Sequence, residues 1–194
     1  MKNLIVSISL LMVMATSSFA LETEFIEVAI NLEDSRVRYD SSYRKIDYPL
    51  GDVPADVGVC SDVIVRAYRG IDIDLQQLVH EDMKNNFSVY PKIWGLSRTD
   101  RNIDHRRVLN LRAFFKRHGK SLSISDNPND YKPGNLVTWN LKSNGSLPHI
   151  GIVTNMYSNN KKRPIIMHNM GRGQVLEDML FDYEITGHYR YRVD

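Results

Sequence analysis

The sequence predicts an α+β protein, with helices first and a small antiparallel sheet after them. Two observations carry that reading. Before Gly119, apolar residues recur at three- and four-residue spacing, the period of a helix that buries one face. After Gly119, short segments rich in β-branched and aromatic residues are separated by Asn, Gly, Ser and Lys clusters, as strands are by turns. A third observation marks the point around which the fold is built. The only cysteine, Cys60, stands where a loop becomes a helix, and that helix is expected to pack on the sheet.

The elements follow in order. Met1, Lys2 and Asn3 give a short basic start, residues 4–14 are apolar, and Ser18, Phe19 and Ala20 form a small-x-small cleavage signal. Residues 1–20 therefore read as a bacterial secretory signal peptide, and residues 21–194 as a single periplasmic or secreted domain. The apolar run is shorter than the roughly 20 residues of a stable membrane anchor. Residues 22–32 have helical spacing, and residues 33–48 are polar and loop-like. Gly51, Asp52, Pro54, Ala55, Asp56 and Gly58 then break the chain before Val63, Ile64, Val65, Ala67 and Tyr68 form the buried side of a short helix. Cys60 falls in its first turn.

Residues 73–85 predict a second helix of this group, with Asp72 or Asp74 as its N-cap. The aromatic stretch 87–96, interrupted by Pro91 and Gly95, reads as a loop that covers core or lines a substrate groove. Residues 104–118 predict a further helix ended by Gly119, and its Arg106, Arg107, Arg112, Lys116 and Arg117 read as a solvated face. Residues 136–139, 149–154, 164–168 and 187–193 predict the strands.

Composition narrows the function. Loss of Lys2 with the leader leaves 24 basic against 23 acidic residues, a balance with no electrostatic footprint for nucleic acid. A single cysteine cannot form an internal disulfide. In an oxidising compartment it implies intermolecular pairing or a reactive thiol, against the plainer reading of a small buried hydrophobe. The start of a helix favours thiolate and offers N–H groups to an oxyanion. A thiolate nucleophile needs a base in hydrogen-bond reach and a third group to orient that base. Of the six histidines, His80, His105 and His118 lie in charge-rich helical surroundings and read as surface residues. His149 and His168 stand at strand ends, where a rigid side chain can reach a cleft; singly, each is more often structural than catalytic.

Four segments carry a resemblance. They are Tyr48-Pro49-Leu50-Gly51 followed by Cys60-Ser61-Asp62; Lys132-Pro133-Gly134-Asn135-Leu136-Val137; His149-Ile150-Gly151-Ile152-Val153; and Met167-His168-Asn169. In this order, over residues 45–193, the chain resembles the bacterial family catalogued as domain of unknown function 1287. More distantly it is similar to the NlpC-type papain-like cysteine peptidases that cut cell-wall peptides. The resemblance implies a papain-like NlpC-type fold, with Cys60 as nucleophile, His149 as base and then acid, and His168 as the orienting group. It also implies Tyr48 beside the oxyanion site, with Ser61, Asp62 and Asn169 at the substrate or oxyanion side. Asn169 and His188 are alternatives for the third position. Ser61-Asp62 and Asn135 depart from the peptidase pattern, which bears on the pocket more than on the chemistry.

The expected activity is hydrolysis of an amide through a thioester, with peptidoglycan stem peptides as the abundant exported substrate and no cofactor. Arg98, Asp100 and Arg101 could bind the charged ends of such a peptide. Three other readings compete: an acyltransferase or lipid-directed thiol hydrolase on the same fold, a zinc enzyme using His149, His168 and His188, and a non-catalytic binding module. No HExxH helix and no second cysteine accompany the histidines, which weighs against zinc. The sequence sets no oligomeric state.

Overall fold

The computed structural model describes residues 20–160 and 162–193; the predicted leader, Ala20 excepted, lies outside the described residues. The architecture is α+β, with four α-helices and a six-stranded antiparallel sheet. Helix α1 covers residues 20–31. Two short strands, β1 (Arg38–Tyr39) and β2 (Val57–Gly58), pair in parallel ahead of α2 (Cys60–Arg69), α3 (Leu75–Asn85) and α4 (Val108–His118). The sheet strands are β3 (Lys120–Ser121), β4 (Leu136–Asn140), β5 (Pro148–Tyr157), β6 (Pro164–Asn169), β7 (Gln174–Glu177) and β8 (Glu184–Arg190). Their spatial order is β3-β8-β4-β5-β6-β7, so β5 lies inside the sheet.

Alternation along the strands divides the core into two layers. Leu136, Ile150, Ile152, Met167 and Tyr189 face the helices and meet Val63 and Ile64 of α2, Leu75 and Val79 of α3, and Leu111 and Phe115 of α4. Val137, Trp139, Val153 and Ile166 face the other way, under Tyr131, Met179 and Leu180, and the Trp139 indole N–H donates to the Leu180 carbonyl at 2.9 Å. Each fully buried Val, Ile or Leu contributes about 1.5–3 kcal/mol, so the apolar face of α2 is a main reason that this helix sits on β5.

Asp74 caps α3 by accepting the Gln76 N–H, and Gly119 ends α4, both as the sequence suggests. The helix expected over residues 104–118 is instead divided. A 3-10 turn at Asp104–Arg106 is followed by an extended Arg107, and α4 begins at Val108. The cause is that Asp104 accepts the Asp100 N–H while Arg106 turns inward to an ion pair, which a continuous helix would break. The basic face is solvated only in part, at Lys116 and Arg117. Arg106 is buried, the Arg107 guanidinium lies 4.2 Å from the Trp94 ring centre, Arg112 donates to the Thr186 carbonyl, and Arg117 pairs with Asp82.

The last strand also sits three residues earlier than expected. Arg192 has a positive φ of 49°, so the chain turns there, and Tyr191 and Val193 enter the helix-side core.

Candidate active site

Helix α2 starts at Cys60 with an extended Val59 before it (φ −121°, ψ −179°). Valine has no capping oxygen, so the cap comes from Asp62, whose carboxylate accepts the Val59 N–H at 2.7 Å. The same carboxylate accepts Nε and Nη2 of Arg106 at 2.8 and 2.9 Å, a buried bidentate pair. Arg106 also donates to the carbonyls of Ser42 and Asp40, and its own carbonyl accepts the Ser61 hydroxyl at 2.6 Å. Ser61 and Asp62 are thus engaged in fixing the helix start. Asn169 likewise spans the gap between β6 and the strand before Cys60, donating to the Gly58 carbonyl at 3.4 Å and accepting the Gly171 N–H. These three positions, expected at the substrate side, are held by protein partners.

Cys60 is 3% exposed. The backbone N–H groups of Ile150, Ser61 and Cys60 itself lie near its sulfur, and each of these lowers its pKa. The helix-start effect therefore has the expected sign. Burial acts against it and is larger, and the Asp62 charge adds to burial, so the thiol is pushed up to about 12. The resting thiol is neutral, contrary to the expectation of a thiolate.

The Ile150 N–H belongs to the peptide unit that joins it to His149. The backbone at the start of β5 thus approaches Cys60, while the His149 side chain shares the sheet face of Gly151, Val153 and its partner Trp139, turned away from the helix side. His149 Nε2 lies 3.0 Å from His168 Nδ1, with the rings at 87°. His168 Nε2 lies 3.0 Å from Glu177 Oε2, and Arg172 donates to Glu177 Oε1 at 2.6 Å.

Strand register produces this row. Ile152 pairs with Met167, so Gly151 faces His168, and His149 lies two residues along on the same face. On the next strand His168 pairs with Val175, and Glu177 shares that face two residues on. The row runs diagonally across β5, β6 and β7. Gly151 makes room for it: a Cβ there would lie 2.6 Å from Ile166 Cγ2 and 3.3 Å from His168 Cβ. Trp139, paired with His149 on β4, covers the imidazole with ring centres 5.9 Å apart. Burial, and then the neighbouring His168, lowers His149 to about 3. Burial also lowers His168, although the Glu177 carboxylate opposes it.

The tyrosine beside the sulfur is Tyr39, a residue the sequence reading passed over. Strand β1 pairs it with Gly58, and burial, with Cys60 and Asp62 close by, raises its hydroxyl pKa. Tyr48 packs elsewhere, edge-on to His80 at 5.3 Å and under the Arg101 guanidinium at 5.5 Å. Its expected place beside the oxyanion site is not where the structure puts its ring. Nothing in the polar stretch around Tyr39 marks it. Glu177 did have a signal: Gly171 and Gly173, both at positive φ, mark a tight turn between His168-Asn169 and a following strand.

His188 is held by the Ser123 carbonyl at Nδ1 and by Asn135 Oδ1 at Nε2, and it stacks on Tyr131. Both its nitrogens are committed away from His149, so it is neither the third member nor a companion ligand. Nor are the other histidines all at the surface: His105 is buried, with a pKa lowered to about 3, and His80 is half-buried with Nδ1 at 3.7 Å from Asp104 Oδ2. Arg98, Asp100 and Arg101 line one surface hollow with Tyr43, His80 and Asn102. Among the described residues no cluster of three or more His, Cys, Asp or Glu is placed to hold a metal ion.

Comparison with known proteins gives two matches. The sequence profile of the family described as Domain of unknown function (DUF1287) matches residues 26–191. The uncharacterized protein YijF of Escherichia coli strain K12 is 50% identical over 159 residues, covering 82% of this chain and 76% of that protein.

Proposed function

The chain belongs to the DUF1287 family, and from that premise we propose that it is an exported cysteine hydrolase of the NlpC-type papain-like class. Its substrate is an amide bond in peptidoglycan stem peptides, cut as an endopeptidase or amidase. The observation that supports the reading is a cysteine at a helix start whose sulfur lies near the N–H of Ile150, the residue after a His149 whose Nε2 is already occupied by His168. In this reading Cys60 is the nucleophile, His149 the base and His168 its orienting group, drawn from three distant parts of the chain.

In the proposed reaction the Cys60 sulfur attacks the scissile carbonyl and its proton passes to His149 Nδ1. The carbonyl π pair moves to oxygen, and the oxyanion is held by N–H groups of the helix start and by the Tyr39 hydroxyl. Collapse breaks the C–N bond, and His149 returns the proton to the departing amine. Water, losing a proton to the same nitrogen, then cleaves the thioester, releasing the acid and restoring the thiol. The N-terminal leader and the near-neutral charge are consistent with a wall polymer as substrate.

Burial of Cys60 favours one second reading, a binding module on the same fold. Both are tested by incubating the protein with purified sacculi and with soluble muropeptides, then following fragments and the intact protein by mass spectrometry. The hydrolase reading expects new fragments and an acid-trapped acyl adduct on Cys60, both absent in Cys60→Ala and His149→Ala. Retention on sacculi with no product above the Cys60→Ala level would establish the binding module instead.

A further inference from the structure

We propose that Glu177 is a positioning residue for this site: acting through two imidazoles in series, it leaves His149 Nδ1 as the unprotonated, basic nitrogen. The inference rests on the hydrolase reading for its catalytic meaning, but its structural content stands on donor and acceptor identity alone.

A carboxylate is acceptor-only. At 3.0 Å from His168 Nε2, Glu177 Oε2 requires that nitrogen to carry the proton. A neutral imidazole has one N–H, so His168 Nδ1 is bare and can only accept. It lies 3.0 Å from His149 Nε2, which must then be the donor. His149 in turn has its single proton on Nε2 and a lone pair on Nδ1. The tautomer of the base is thus decided two residues away, on β7. Both histidines are buried and neutral at rest, which the argument requires.

The same row serves the charged state. When His149 takes the thiol proton, its Nε2–H still points to His168 Nδ1, and His168 Nε2–H still points to the carboxylate. The only fixed negative charge of the row lies at its end, where Arg172 orients it by donating to Glu177 Oε1. Glu177 is half-buried, and its inner oxygen faces the fully buried His168.

Glu177→Gln tests this with almost no change of shape. An amide can accept from His168 Nε2–H or donate to a bare Nε2, so it satisfies both tautomers and selects neither. Long-range 1H–15N spectra of the histidine-labelled full chain are the readout. The wild type is expected to show His149 and His168 both protonated at Nε2 alone, and the variant to show mixed tautomers at both rings. On muropeptides kcat is expected to fall about 10–100-fold with KM nearly unchanged, and Glu177→Asp is expected to recover part of it. Thermal melting of each variant checks that the fold is kept.

A wild-type His168 protonated at Nδ1, or tautomers unchanged in Glu177→Gln, would overturn the assignment. Expected tautomers in a wild type that yields no product would instead overturn the hydrolase reading and leave the assignment of Glu177 standing.

Discussion

Removing the Arg106 guanidinium should be among the most damaging single changes in the chain. Its side chain is 3% exposed and that of its partner Asp62 is 4% exposed. Arg106→Met keeps much of the apolar stem but leaves the Asp62 carboxylate with the Val59 N–H alone, and it strips donors from the Ser42 and Asp40 carbonyls. Breaking a buried pair from one side costs about 3–5 kcal/mol, because a desolvated charge is left behind. Against a typical total of about 5–15 kcal/mol, that is a large share of the stability. Urea unfolding at pH 7 measures the single loss. Adding Asp62→Asn removes the stranded charge while keeping an acceptor for Val59, so the double variant should lose less than the sum of the two singles, by about 2 kcal/mol. Cys60, at the helix start that this pair anchors, should be alkylated faster in Arg106→Met than in the wild type. A single loss under about 1 kcal/mol, or strict additivity, would refute the claim that the pair fixes the start of α2.

Three further outcomes follow from the same structure. Gly151→Ala places a Cβ 2.6 Å from Ile166 Cγ2 and 3.1 Å from the Met167 carbonyl oxygen, so it should cost about 1–3 kcal/mol and shift the His149 and His168 imidazole resonances together; a melt and spectrum like the wild type would show that the space is not needed. Acid should destabilise the protein, because His105 and His149, lowered to about 3 by burial, bind protons only when unfolded. Their stabilisation is complete above about pH 6.5 and is lost as pH falls toward 3, by about 1.4 kcal/mol per pH unit each. Asp104, raised to about 6 by burial, has the opposite sign: its contribution is present below about pH 4 and is lost as pH rises through 6. Asp104→Asn should therefore raise stability at pH 7.5 and steepen the acid loss between pH 6 and 4, and urea midpoints across pH that stay parallel to the wild type would contradict it.

Much of the layout was legible in the sequence because local rules govern it. Helical spacing gave α2 and α3, Asp74 marked the cap of α3, and the change of period after Gly119 marked the sheet. The pairing of His149 with His168 was also within reach, since two strand-end histidines on neighbouring antiparallel strands share a face at a diagonal register. What the sequence concealed was long-range. Arg106 reads as one of five basic residues on a helix face, and only the fold shows that it lies across from Asp62, 44 positions away. Tyr39 reaches the sulfur through a two-residue parallel pairing that has no periodicity to betray it. Tyr48 carried the motif-like context and Tyr39 the position, because motif spacing records order along the chain while proximity depends on which strands pair.

The balance of charge around Cys60 bears on its proposed role as the nucleophile of an exported hydrolase. Burial, with the Asp62 charge, holds Cys60 up at about 12, and burial, with His168, holds His149 down at about 3, so at neutral pH both the thiol and the imidazole are uncharged. In the proposed reaction one proton moves between them and creates two opposite charges together. The new anion finds the Ile150 and helix-start N–H groups already aimed at the sulfur; the new cation finds the row through His168 to the Glu177 carboxylate. The compensation is built in on both sides, yet neither charge forms in advance of a substrate. A neutral, covered thiol reacts slowly with oxidants and with alkylating reagents, since the thiolate is the reactive form. Slow labelling of Cys60 by iodoacetamide at neutral pH is therefore the expected behaviour of this site, and turnover of a wall peptide, compared between wild type and Cys60→Ala, is the measurement that separates a guarded nucleophile from an inert one.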